Sequence, residues 1–153
     1  MDLILWRHAD ALDEDESGDD LKRALSSRGE KQAARVAAWL DRHLPEGTRI
    51  LCSPALRCEQ TVLPLGRKYK LREELAPDQD CSLLLEAAGW PDARQPTLVV
   101  GHQPGLGQAV ARLLGLKHDS CPVRKGAVWW LRTRERDGHQ QTVVVAVQSP
   151  DAL

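Results

Sequence analysis

Leu3-Ile4-Leu5-Trp6-Arg7-His8-Ala9-Asp10 is the stretch on which the fold turns. An apolar run stops there at an arginine and a histidine, with a carboxylate two residues further on. A short run rich in Leu and Ile, ended by polar residues, has the pattern of a fully buried strand, which puts Arg7 and His8 at its carboxyl end. In open α/β sheets ligands bind at that end. Taken alone, the pair fits a strand reaching the surface as well as it fits catalysis.

The same plan recurs downstream. Thr97-Leu98-Val99-Val100-Gly101 is a second clear strand, rich in β-branched and apolar residues, and it too ends in a histidine, at His102-Gln103-Pro104-Gly105. Arg49-Ile50-Leu51-Cys52 is a third, followed by Ser53-Pro54, where proline at a first helical position lacks only an N–H that would go unused. The helix expected there carries Arg57 one turn in and runs to roughly Tyr69, with Pro64 kinking it or ending it early. Leu71 to Leu75 reads as a short strand and Ser82 to Ala88 as a helix closed by Gly89-Trp90-Pro91.

Between the first two of these elements along the chain lies Asp13-Glu14-Asp15-Glu16-Ser17-Gly18-Asp19-Asp20, a dense acidic run without apolar periodicity that reads as a solvated surface loop. Arg23, at its far end, is placed to fold back toward Arg7. Ser26 or Ser27 then caps a helix whose Ala33, Val36, Ala37, Leu40 and Leu44 share one face, and which Pro45-Glu46-Gly47 ends. His43 in its last turn suits the helix dipole. Leu106 to Leu116 is a further amphipathic helix, and Ala127 to Leu131 and Thr142 to Gln148 are two strands joined through Asp137-Gly138, a strong hairpin signal. Alternating strands and helices followed by a hairpin predict an α/β fold. Its expected form is a three-layer α/β/α sandwich around a mainly parallel sheet of about six strands, with an antiparallel strand near the C-terminus.

At 153 residues the chain fits one domain, 1–153, and no repeat or linker divides it. A domain of this size buries about 68–70% of the surface its unfolded chain exposes, so a self-sufficient core is expected. The net charge of −1 argues against a protein that coats nucleic acid, and any phosphate affinity must come from a local cluster. Cys52, Cys58, Cys81 and Cys121 lack the short paired spacings of a zinc site and the density of a disulfide scaffold, so they read as reduced thiols. The apolar run before Arg7 is too short for a signal-peptide core or a membrane span, and the expected setting is a cytoplasmic monomer without membrane contact.

Three strand ends therefore carry Arg7-His8, Arg57 and His102 to the carboxyl side of one sheet. Two guanidinium forks and an imidazole N–H surround a tetrahedral dianion better than they surround a neutral ligand. Helix N-termini after Cys52 and after Gly101 add main-chain donors. This builds a phosphate pocket without a metal, a cofactor or a glycine-rich loop; Gly101, Gly105 and Gly107 match neither a dinucleotide fingerprint nor a Walker loop. Cys52 and Arg57 stand one residue too close for the Cys-to-Arg loop of cysteine phosphatases, and Cys52 reads as the last buried residue of its strand. His118 and His139 read as solvent-exposed bystanders.

Leu5-Trp6-Arg7-His8-Ala9-Asp10, Leu51-Cys52-Ser53-Pro54-Ala55-Leu56-Arg57-Cys58-Glu59-Gln60-Thr61 and Val99-Val100-Gly101-His102 together resemble the histidine phosphatase superfamily, also called phosphoglycerate mutase-like. The short SixA-type phosphohistidine phosphatases are the most similar group, sharing the compact length, the acidic loop and the approach through Arg23. The resemblance implies a nucleophilic His8 that becomes phosphohistidine, with Arg7, Arg57 and His102 around the phosphoryl group and Arg23 and Ser53 as further phosphate contacts. Neighbouring Arg7 and Arg57 disfavour protonation of His8 by like-charge repulsion. The general acid is open between Asp10 and Glu74. The implied partner is a protein carrying phosphohistidine; small phosphate esters, or phosphate binding without turnover, are the alternatives. Ala9 stands where the family usually has glycine, so its backbone must adopt an angle that alanine tolerates.

Overall fold

The opening run becomes strand β1 (Asp2–Arg7), and Leu3 to Trp6 are fully buried in the computed structural model, which describes residues 1–153. The other strands are β2 (Arg49–Cys52), β3 (Lys70–Leu71), β4 (Thr97–Gly101), β5 (Val128–Arg136) and β6 (His139–Gln148). They form one six-stranded sheet in the order β3-β2-β4-β1-β5-β6. Pairing is parallel among β3, β2, β4 and β1, while β5 runs antiparallel to both β1 and β6. Helices α1 (Ser27–His43), α2 (Leu56–Val62), α3 (Cys81–Ala88) and α4 (Gly105–Leu114) cover the two faces.

Strand alternation decides which helix meets which residue. Ile4 and Trp6 point into a core with Val36, Leu40 and Val62 of α1 and α2, whereas Leu3 and Leu5 point to the opposite core with Leu84, Leu106 and Val110 of α3 and α4. The result is the three-layer sandwich expected. Each fully buried Leu, Ile or Val in these cores contributes roughly 1.5–3 kcal/mol. Trp6, the largest buried side chain, also donates its indole N–H to the Gly126 carbonyl at 3.2 Å.

Several boundaries depart from the sequence expectation for local reasons. Leu71 to Leu75 is not a strand: β3 ends at Leu71 because its partner β2 ends at Cys52, and Glu73–Leu75 tighten into a 3₁₀ turn. Pro54 is not the first helical residue. The Ser53 hydroxyl accepts the Ala55 N–H at 3.2 Å and the chain stays extended through Ala55, so α2 starts at Leu56. It stops at Val62, seven residues before Tyr69; Pro64 sits in a 3₁₀ turn that Gly66 ends in the left-handed region at φ 69°. The hairpin strands are longer than hydrophobicity suggests, and Asp137 and Gly138, both at positive φ, make the two-residue turn. The acidic loop is folded rather than a plain solvated run. Ala11 and Leu25 form an antiparallel bridge at its base, and Asp19 caps a 3₁₀ turn at Asp20–Lys22.

Gly29 in the first turn of α1 lies against the main chain of Asp10; a Cβ there would fall 1.9 Å from the Asp10 carbonyl oxygen. In an exposed helix Gly→Ala stabilises by about 1 kcal/mol. Here Gly29→Ala is expected to destabilise by about 1–3 kcal/mol, because a main-chain atom must move. Urea unfolding of the two proteins reads the sign directly, and a gain in stability would contradict the close approach.

Candidate active site

His8 and His102 follow neighbouring parallel strands. The Arg7↔Gly101 register is the last between β1 and β4, and the His8 N–H continues it by donating to the Gly101 carbonyl at 3.1 Å. The His8 carbonyl accepts the Gly126 N–H at 3.0 Å from the other side. With its main chain held on both edges, His8 places its ring centroid 5.2 Å from that of His102.

The proton on His8 is settled by its partner. Nδ1 lies 2.8 Å from the Ala9 carbonyl oxygen, which only accepts, so Nδ1 carries the hydrogen and the lone pair is on Nε2. Burial pushes the imidazole down to about 4; the bond to Ala9 opposes that shift, and repulsion from Arg57, Arg7 and Arg23 adds to it. The arginines expected to keep His8 neutral thus act, but desolvation acts more strongly. Ala9 is buried outside the left-handed region, and its N–H donates to Thr61 Oγ1 at 3.0 Å, so alanine in place of glycine brings no strain.

Arg7, His8, Arg23, Arg57 and His102 line one cleft of about 340 Å³, together with Asp20, Asp13, Asp78 and Lys125. Arg7 donates through Nη1 to the Val123 carbonyl at 2.9 Å. Arg57 comes from the first turn of α2, and its side chain is only 4% exposed. Arg7 and Arg57 each keep a buried Nε–H with no partner in the protein. Such unpaired cationic donors are costly to bury.

The remaining residues singled out from sequence lie elsewhere. Ser53 is fully buried off the cleft wall, with its hydroxyl 2.8 Å from His102 Nε2. It acts on the ring of His102 rather than on phosphate. Cys58 Sγ lies 3.4 Å from the same nitrogen, and burial holds that thiol protonated. His102 is itself pushed down to about 3 by burial, then by His8 and Arg57. Asp10 does not line the cleft either; its carboxylate accepts from the Ser26 hydroxyl at 2.6 Å and from Lys125 at 3.3 Å, and the Ser26 bond lowers its pKa. Glu74 is paired with Arg72, which lowers its pKa, and lines a separate narrow cavity of about 20 Å³ beside His102. Two carboxylates so held are poor proton donors. Cys52 ends β2, buried, with a thiol that burial pushes up.

Sequence reading missed three contributors. Thr61 ties Ala9 to α2; Asp20 binds Arg57 and Arg23; Gln60 accepts the Leu25 N–H at 2.7 Å. Gln60 and Thr61 were visible as part of a motif, but their targets were not.

Two imidazoles among three guanidiniums at the carboxyl edge of a parallel sheet define a phosphoryl-binding α/β protein of the phosphoglycerate mutase-like fold. The chain belongs to the histidine phosphatase superfamily (branch 1), whose family model matches residues 3–80, and it is a phosphatase of that family. It is 33% identical over 123 residues to the phosphohistidine phosphatase SixA of Escherichia coli, covering 74% of each chain. It is 26% identical over 167 residues to the SixA homolog of Haemophilus influenzae, covering 98% of this chain and 97% of that one. The structure of the protein histidine phosphatase SixA complexed with tungstate superposes with a TM-score of 0.79 at 26% identity, covering 99% of both chains. No helix of the protein is long and apolar enough to cross a membrane.

An imidazole titrates near 6.5 when free, and both site histidines lie below that, at about 4 and about 3. The unfolded chain therefore binds protons that the folded chain refuses, and stability falls as pH drops from about 6.5 toward 4. Removing one of them, as in His102→Asn, is expected to reduce that slope by about one proton, roughly 1.4 kcal/mol per pH unit. Urea unfolding at a series of pH values measures it, and an unchanged slope would mean that His102 is charged in the folded protein.

Proposed function

We propose that this protein removes a phosphoryl group from phosphohistidine on another protein, through a covalent phosphohistidine on His8. The observation that carries the reading is the His8 ring itself: neutral, with Nδ1–H fixed on Ala9, and with Nε2 left as the nucleophile in a cleft of guanidiniums. In the first step the lone pair of Nε2 attacks phosphorus and the bond to the leaving nitrogen breaks, its electron pair staying on an imidazole that already carries a proton on its other nitrogen. Arg7, Arg57 and His102 offer N–H donors to the equatorial oxygens as charge develops, and Arg23 adds a cation to the same wall. In the second step water attacks the phosphorus, its proton passing to a phosphate oxygen or to solvent, and His8 Nε2 leaves with the bonding pair. Ser53 keeps His102 oriented through both steps.

The substrate class follows from the leaving group. An imidazole departs readily once protonated, whereas an alkoxide needs a positioned acid. Asp10 and Glu74, the sequence candidates for that acid, are held as carboxylates by Ser26 with Lys125 and by Arg72, and neither lines the cleft wall itself. The similarity to SixA proteins supports the same class. Asp13 and Asp78 favour a second reading, since both line the cleft wall and neither is in an ion pair. If either protonates an alkoxide, small phosphate esters become substrates.

Two measurements decide between these readings. Mixed with a phosphodonor and quenched in base, the wild-type protein should retain acid-labile phosphate on His8, and His8→Ala should retain none and lose at least about a thousandfold in rate. Hydrolysis by His8→Ala at the wild-type rate would end the covalent mechanism. A phosphohistidine protein should be hydrolysed with a higher kcat/KM than any member of a panel of sugar and nucleotide phosphates; the reverse order would assign the protein to small esters.

A further inference from the structure

One carboxylate lies inside the guanidinium cluster. Asp20 Oδ2 accepts from Arg57 Nη2 at 3.1 Å, Asp20 Oδ1 accepts from Arg23 Nε at 2.9 Å, and the Asp20 main-chain oxygen accepts from Arg57 Nη1 at 2.9 Å. Both terminal nitrogens of Arg57 are thereby turned to one residue of the acidic loop. The Arg57 side chain is 4% exposed and that of Asp20 is 57% exposed. The pair is therefore asymmetric: a buried cation is met by an anion that reaches in from the surface.

A carboxylate spanning two guanidiniums occupies the donors that two oxygens of a phosphoryl group would use. We infer that Asp20 is an internal competitor for the phosphoryl group, holding Arg57 and Arg23 in the free protein and yielding them to the incoming dianion, so that it sets the affinity of the site for phosphate. This rests on reading the cleft as a phosphoryl site. The dianion prevails because it brings more charge and further oxygens that reach Arg7 and His102 on the same wall. The Asp20 carboxylate can turn away while the loop stays closed at its base, where the Leu12 N–H donates to the Ala24 carbonyl at 2.8 Å. On the way out, the same carboxylate competes with product phosphate for Arg57 and hastens its release.

Asp20 as a mere holder of Arg57 would have the opposite sign, because its loss would then loosen the arginine and weaken binding. Calorimetric titration of the full chain with inorganic phosphate separates the two. Asp20→Asn, which keeps the size and an acceptor oxygen, and Asp20→Ala are both expected to bind phosphate about five- to tenfold more tightly than wild type, the range of a partly exposed ion pair to a buried cation. In turnover, KM for the phosphorylated substrate and the inhibition constant of phosphate should fall together, while kcat does not rise. Weaker binding by Asp20→Ala with recovery in Asp20→Asn, or equal binding in all three proteins, overturns the competitor role and leaves the phosphatase reading standing. No phosphate binding by wild type or by Asp20→Asn overturns both.

Discussion

The hydrogen bond from His8 N–H to the Gly101 carbonyl, 3.1 Å long, is the contact on which the site depends. It carries β1–β4 pairing one residue past the end of β1, onto the last residue of β4, so the two histidines leave the sheet side by side instead of at the ends of separate loops. Parallel strands cannot be joined by a tight turn; the whole crossover between residues 8 and 96 is what allows this adjacency. The antiparallel neighbour completes the grip, since the Arg7 N–H donates to the Ala127 carbonyl at 3.0 Å and the Gly126 N–H to the His8 carbonyl at 3.0 Å. An imidazole whose main chain is set by three main-chain neighbours has little orientational freedom left to lose.

Placing two imidazoles and two arginines beneath the surface is expensive unless most of the charge is removed or matched. The histidines meet this by staying neutral, and burial rather than the arginines is the first cause. The arginines meet it by a mixture of main-chain acceptors and Asp20. The same neutrality that lowers the folding cost leaves a free lone pair on Nε2 of His8, as the proposed attack requires. Here stability and reactivity ask for the same protonation state.

Arg7, His8, Arg57 and His102 were legible in the sequence because each follows an apolar strand or opens the helix after one, and strand ends can be located from hydrophobic pattern alone. The three-layer arrangement was legible for the same reason. Contacts between a side chain and a distant main chain have no such signal. The motif suggests Ser53 as a phosphate contact, and only the fold shows its hydroxyl on His102 Nε2. Proximity in sequence points to Asp10 and motif position to Glu74, but the first is held by Ser26 and the distant Lys125 and the second by Arg72. The outer half of β5 was hidden because Arg132, Arg134 and Arg136 alternate along a strand that has left the helical layers.

What looked like a linear motif in α2 is one face of a helix. Arg57, Gln60 and Thr61 are spaced i, i+3 and i+4, so their side chains share a side. Each takes hold of a different part of the segment after β1: Thr61 the Ala9 N–H, Arg57 the carboxylate and carbonyl of Asp20, and Gln60 the Leu25 N–H. A seven-residue helix thereby anchors the beginning, the middle and the end of the nineteen-residue connection 8–26, which has little core of its own. Thr61 also donates to the Arg57 carbonyl at 2.7 Å, so the residue that restrains the chain beside His8 is bonded to the main chain of Arg57. A change in how α2 packs on α1 would displace His8, Arg57 and Arg23 together. The spacing Arg-x-x-Gln-Thr is accordingly required by loop geometry as much as by chemistry at phosphorus.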